Sequence, residues 1–108
     1  MADEFGGERT RRRYERATGP FDGVLEGPVL IYDLNLGGAF VVSSPAPAIG
    51  STFALKISLP QEGSISVNAE TLYHHQHGFA VQFLDLDDDA ALRIARAVEA
   101  YKNRRSFR

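Results

Sequence analysis

The sequence predicts a mainly β fold: a small barrel or sandwich of five or six short strands followed by one C-terminal helix. Two observations point to the strands and one to the helix. Phe53, Leu55, Ile57 and Leu59 alternate with Ala54, Lys56 and Ser58, and Ile65, Val67 and Ala69 resume the pattern, the period-two signature of half-buried strands. Glycine, proline and aspartate recur at short intervals between β-branched and aromatic runs, as turns do between strands of an all-β domain. Near the end, Ala91, Ile94, Ala95, Val98 and Tyr101 fall at helical spacing and form one stripe.

Residues 1 to 10 lack hydrophobic periodicity apart from Phe5 and carry Gly6-Gly7, so a flexible lead-in is expected there. Residues 11 to 27 mix arginines with Gly19-Pro20, Asp22-Gly23 and Gly27. These interrupt any helix and suggest a draped arm that enters a short strand at Val24-Leu25. Val29-Leu30-Ile31-Tyr32 is a β-branched and aromatic run, closed by residues 33 to 38 before a second such run at 39 to 43. Residues 51 to 59 form the next strand, and Pro60-Gln61-Glu62-Gly63 has the composition of a tight reversal. The alternation that follows slips near Thr71-Leu72, where a bulge is expected to absorb the extra residue. Gly78 opens a last strand with Phe79, Val81 and Phe83 on one face, and Asp87, Asp88 and Asp89 suit the start of the helix, where carboxylates meet free amides and the positive dipole end. Lys102, Arg104 and Arg105 suit its finish. The expected division is a lead-in at 1 to 10, a domain at 11 to 103 and a basic tail at 104 to 108.

The chain has 108 residues, the size of one domain, and its 44% hydrophobic and 24% charged residues are those of a folded protein. No stretch reaches the roughly 18 apolar residues of a spanning helix, and the N-terminus is acidic rather than a basic head before an apolar run. No membrane insertion and a cytoplasmic location are therefore expected. The chain has no cysteine, which removes thiolate metal sites and cysteine nucleophiles, and a net charge of −2 argues against a general nucleic-acid binder.

Catalysis finds little support. His74, His75 and His77 cluster between two strands, but neighbouring strand residues point to opposite faces, so a solvated hairpin tip is favoured over a metal site. The acidic run 85 to 89 lacks the glycine and trailing glutamate of a calcium loop, and Ser43-Ser44 lacks the glycines of a nucleophile elbow. No enzyme activity, metal or cofactor is expected.

Two segments stand out. The first is Arg11-Arg12-Arg13-Tyr14-Glu15-Arg16, in which Arg12 and Arg16 stand in RxxxR spacing. A guanidinium holds phosphate oxygens in pairs and stacks on a flat base, which an ammonium does not. Taken alone, such a run also fits a solvated linker. The second is Asp33-Leu34-Asn35-Leu36-Gly37-Gly38 between two strands. An aspartate accepts two hydrogen bonds from one edge of guanine, and paired glycines let backbone amides approach a ligand. An Asx-initiated turn with glycines at positive φ explains the same residues without any ligand.

Taken together, the arginine arm, a strand, D-x-[SN]-x-x-G and a further strand resemble the PilZ domain family. The likeness continues through Gly37-Gly38-Ala39-Phe40-Val41, the loop from Pro47 to Gly50, Leu59-Pro60, and the strand that opens at Gly78 and runs to Leu86, covering about residues 9 to 103. The resemblance implies a six-stranded antiparallel β-barrel with a C-terminal helix, binding the bacterial second messenger cyclic di-GMP between the arm and one barrel face. It assigns phosphate and guanine contacts to Arg12 and Arg16 and the other guanine to Asp33, Asn35 and Gly38, with Gly37 beside them. Arg11 and Arg13 add cations suited to a stacked cyclic di-GMP dimer. The family usually has serine where Asn35 stands. On this reading ligand binding orders residues 9 to 20 and signals to a separate, unidentified effector protein. The alternative is a degenerate PilZ domain that acts as an interaction adaptor without binding nucleotide.

Overall fold

The computed structural model of the chain describes residues 16 to 106, so the expected lead-in and Arg11, Arg12 and Arg13 lie outside the described residues. Six strands follow in order: β1 (Phe21–Val24), β2 (Pro28–Tyr32), β3 (Gly38–Val42), β4 (Thr52–Leu59), β5 (Gly63–His75) and β6 (Gly78–Leu84). One helix, α1 (Asp88–Ser106), ends the chain. All strand pairs are antiparallel, in the order β1-β2-β3-β6-β5-β4, and β4 returns to β1 through Gly23–Ile57 and Val24–Lys56, closing a barrel. Closure leaves no long unpaired edge among the described strands.

Alternation decides what goes inside. Leu55, Ile57 and Leu59 of β4, Ile65, Val67 and Ala69 of β5, and Phe79 and Val81 of β6 are buried, with Ile31 and Val41 facing them. Phe53 meets Phe79 edge-on at 6.2 Å between ring centres. The β4–β5 reversal takes the expected tight form, with Gln61 at φ 67° and Gly63 at φ 81°, and Glu62 N–H donating to Leu59 O at 3.0 Å. The expected bulge lies between Thr71 and Tyr73.

Two sequence expectations need correction. The first strand is Phe21–Val24 rather than Val24-Leu25, and Leu25 lies in the bend that follows. Phe21 and Gly23 face the core, and a Cβ on Gly23 would lie 2.8 Å from Lys56 O and 2.9 Å from Ile31 Cγ1. Gly23 is thus a packing residue inside a strand and not a break before one. The helix stripe is also rotated: Ala90, Ile94, Ala97 and Val98 are buried, whereas Ala95 is exposed and Ala91 half-buried. Alanine buries too little area for its spacing to decide the rotation.

Polar and aromatic contacts settle it. Arg93 Nη1–H donates to Glu62 O at 3.0 Å, holding α1 against the β4–β5 turn. At the far end the Tyr101 ring packs against Phe21 at 6.1 Å and its hydroxyl hydrogen-bonds the Thr18 hydroxyl. The acidic run caps α1 as expected, since Ala90 N–H donates to Asp87 Oδ1 at 2.7 Å.

Candidate functional site

Ala17 begins the site. Its N–H donates to Leu34 O at 2.9 Å and Leu34 N–H returns a bond to Ala17 O at 2.8 Å, while Asp33 N–H donates to Thr18 O at 3.2 Å. Ala17 and Leu34 are both fully buried, so this two-residue bridge is tied to the core. Its consequence lies one residue away in each direction, where Arg16 and Asp33 are brought to the same groove. The groove has a volume of about 300 Å³ and is lined by Arg16, Asp33, Asn35, Gly37, Gly38, Ala39, Phe40, Leu72, Tyr73, Ala80, Val81 and Gln82.

Asn35 organises the loop between β2 and β3. Its Oδ1 accepts from Gly37 N–H at 2.6 Å and from Gly38 N–H at 3.1 Å, and its Nδ2–H donates to Asp33 O at 3.1 Å. Asn35 N–H donates to Gly38 O at 3.0 Å, closing the turn. An Asx turn of this kind substitutes a side-chain oxygen for a backbone carbonyl. Asp33 takes φ 54°, which an aspartate tolerates better than most residues.

The expected positive φ at the glycines is not what places them. Gly38 has no such φ; its Cβ would fall 2.0 Å from Val81 O, so glycine is required by the close approach of β3 to β6. The amides of Gly37 and Gly38 both donate to Asn35, so they hold the loop. Phe83 N–H donating to Gly37 O at 2.9 Å fastens the same loop to β6.

Of the sequence-derived candidates, the fold brings Arg16, Asp33, Asn35, Gly37 and Gly38 together. Arg11, Arg12 and Arg13 lie outside the described residues. The opposite wall, Leu72 and Tyr73 of β5 with Ala80 and Gln82 of β6, was not anticipated, although the slip in alternation at Thr71-Leu72 marked the place. The three histidines are exposed: His74 Nε2 hydrogen-bonds Pro47 O at 2.7 Å, and His75 meets Phe40 edge-on at 5.7 Å.

Known proteins share this architecture. The cyclic di-GMP complex of the PilZ domain of YcgR from Escherichia coli superposes with a TM-score of 0.69 at 18% identity, over 88% of this chain and 94% of that one. The longer YcgR–cyclic di-GMP complex gives 0.65 at 20% identity, over 91% of this chain and 51% of that chain. The Bacillus subtilis inhibitor of motility MotI (DgrA) gives 0.68 at 20% identity, over 86% and 52%. The chain thus spans about half the length of the last two. No curated protein matches it. The PilZ domain model matches residues 10–100, and with a closed six-stranded antiparallel barrel and one C-terminal helix, the chain belongs to the PilZ domain family.

Proposed function

We propose that this chain is a cyclic di-GMP receptor that binds the nucleotide in the groove between Arg16 and Asp33. The observation that carries the reading is the Ala17–Leu34 bridge, on either side of which Arg16 and Asp33 line one groove in a chain of this family. Asp33 accepts from the N1 and N2 donors of one guanine edge, and Arg16 takes phosphate oxygens through paired, charge-assisted bonds. Two solved structures with this fold are cyclic di-GMP complexes, which is consistent with the reading.

Arg12 joins Arg16 on the phosphates and the other guanine. Binding orders the arm of residues 9 to 20, which Ala17 and Thr18 anchor through their bonds to Leu34 and Asp33, and remakes a surface for a separate effector protein. Arg11 and Arg13 offset the four charges of two stacked ligands. The rival reading, an adaptor without nucleotide, is favoured by one observation: Asn35 satisfies the loop amides internally, so the loop holds its shape unaided.

Isothermal titration of the full chain with cyclic di-GMP decides between the two. The receptor reading expects saturable heat, close to two ligands per chain, weakened by salt. A ratio of one removes the stacked dimer and keeps the receptor. No heat at saturating ligand leaves the adaptor.

A further inference from the structure

The bulge in β5 has a directional effect. Ile65, Val67, Ala69 and Thr71 face inward, so strict alternation would send Tyr73 inward as well. Across the ladder, however, Thr71 pairs with Val81 and Tyr73 with Ala80, so two steps on β5 meet one on β6 and Leu72 is the extra residue. The phase reverses there. Tyr73 turns outward and is 55% exposed, beside Leu72 at 42%. Bulges next to sites are known to re-aim a side chain in this way.

Tyr73 stands on the wall of the groove that holds Arg16 and Asp33, over the small side chain of its ladder partner Ala80. Its hydroxyl makes no hydrogen bond among the described residues. A ring anchored in a strand at one end of a groove of about 300 Å³, with a carboxylate suited to a base edge and a guanidinium suited to phosphate lining the same space, lacks only a flat partner. That volume is at the lower limit of small-molecule sites, roughly 300 Å³.

We infer that Tyr73 is the stacking platform of this groove, laying its ring on the guanine whose edge Asp33 reads. The inference rests on the proposed cyclic di-GMP reading and adds a residue to it. Stacking suits the position because it asks only for a face, leaving the hydrogen-bonding edge of the base to Asp33. Leu72 covers the side of the stack and keeps water from it.

The test titrates cyclic di-GMP into the full-length wild type, Tyr73→Leu, Tyr73→Phe and Arg16→Ala, with thermal melting of each. Tyr73→Leu keeps an apolar side chain and loses the π face, so binding is expected to weaken on the order of tenfold with an unchanged melting temperature. Tyr73→Phe restores the ring and is expected to recover most of that loss. On ligand addition the Tyr73 ring protons should shift upfield in NMR spectra. Equal binding by Tyr73→Leu and wild type, alongside a loss in Arg16→Ala, overturns the platform and leaves the receptor standing. A loss in Tyr73→Phe as large as in Tyr73→Leu overturns it too, by assigning the contact to the hydroxyl. Absence of binding in the wild type ends both.

Discussion

Ala17 and Leu34 exchange both of their backbone hydrogen bonds, at 2.9 and 2.8 Å, and both are fully buried. This one pair places Arg16 and Asp33 on either side of it along the same groove, and it separates two effects that a mutation could otherwise confuse. Arg16→Ala removes an exposed guanidinium and touches no core atom, so it should weaken cyclic di-GMP binding by about 2 kcal/mol with little change in melting. Ala17→Pro deletes the N–H that serves Leu34 O, so it should lower stability by about 2 kcal/mol and weaken binding as well. Calorimetric titration and thermal melting of both variants check the contrast. A drop in the melting temperature of Arg16→Ala would show that the arginine is part of the fold.

Asn35 is expected to matter first for its loop. Asn35→Ala leaves the Gly37 and Gly38 amides without their acceptor, and should cost about 1 to 2 kcal/mol of stability and weaken ligand binding with it. Asn35→Ser keeps a short acceptor for the same turn and loses only the bond to Asp33 O, so binding should stay within about tenfold of the wild type or improve. Urea unfolding and titration of the two variants are the measurements. Equal damage from serine and alanine would mean that the longer carboxamide is needed for its reach.

Gly38 and Gly27 make a controlled pair. A Cβ on Gly38 meets Val81 O at 2.0 Å, whereas one on Gly27 meets nothing within 4 Å. Gly38→Ala must push β3 from β6 and distort the groove, a loss of roughly 3 kcal/mol. Gly27→Ala should stay within about 1 kcal/mol of the wild type. Denaturant midpoints of the two variants report the difference directly, and similar midpoints would contradict the close strand approach.

Thr71 offers a stabilising change. It is 1% exposed and its hydroxyl has no hydrogen-bond partner among the described residues. A buried, unpaired hydroxyl costs about 1 to 3 kcal/mol relative to a satisfied one. Thr71→Val replaces it with a methyl of similar shape and should raise stability by about 1 kcal/mol, or about 4 to 8 °C in Tm for a domain of this size. Scanning calorimetry measures this, and a lower Tm would show that the hydroxyl has a partner in solution.

The sequence by itself determined the parts whose cause is local. Alternation in β4 and β5, the Pro60-Gln61-Glu62-Gly63 reversal, the bulge near Leu72 and the aspartate cap on α1 each depend on residues close in the chain, and each was legible there. The order of the arginine and aspartate segments likewise pointed to the family. Tertiary structure decided everything that needed two distant segments at once. Gly23 read as a breaker because its contacts, Lys56 and Ile31, come from other strands. Gly38 read as a turn residue because Val81 O lies beyond its own loop. The buried stripe of α1 was set by Glu62 and Phe21 and not by its alanines. Tyr73 entered the site only because closing the β5–β6 ladder around one extra residue turned its ring outward. Periodicity records which face a segment buries, but the partner on that face is set by packing between segments far apart in sequence.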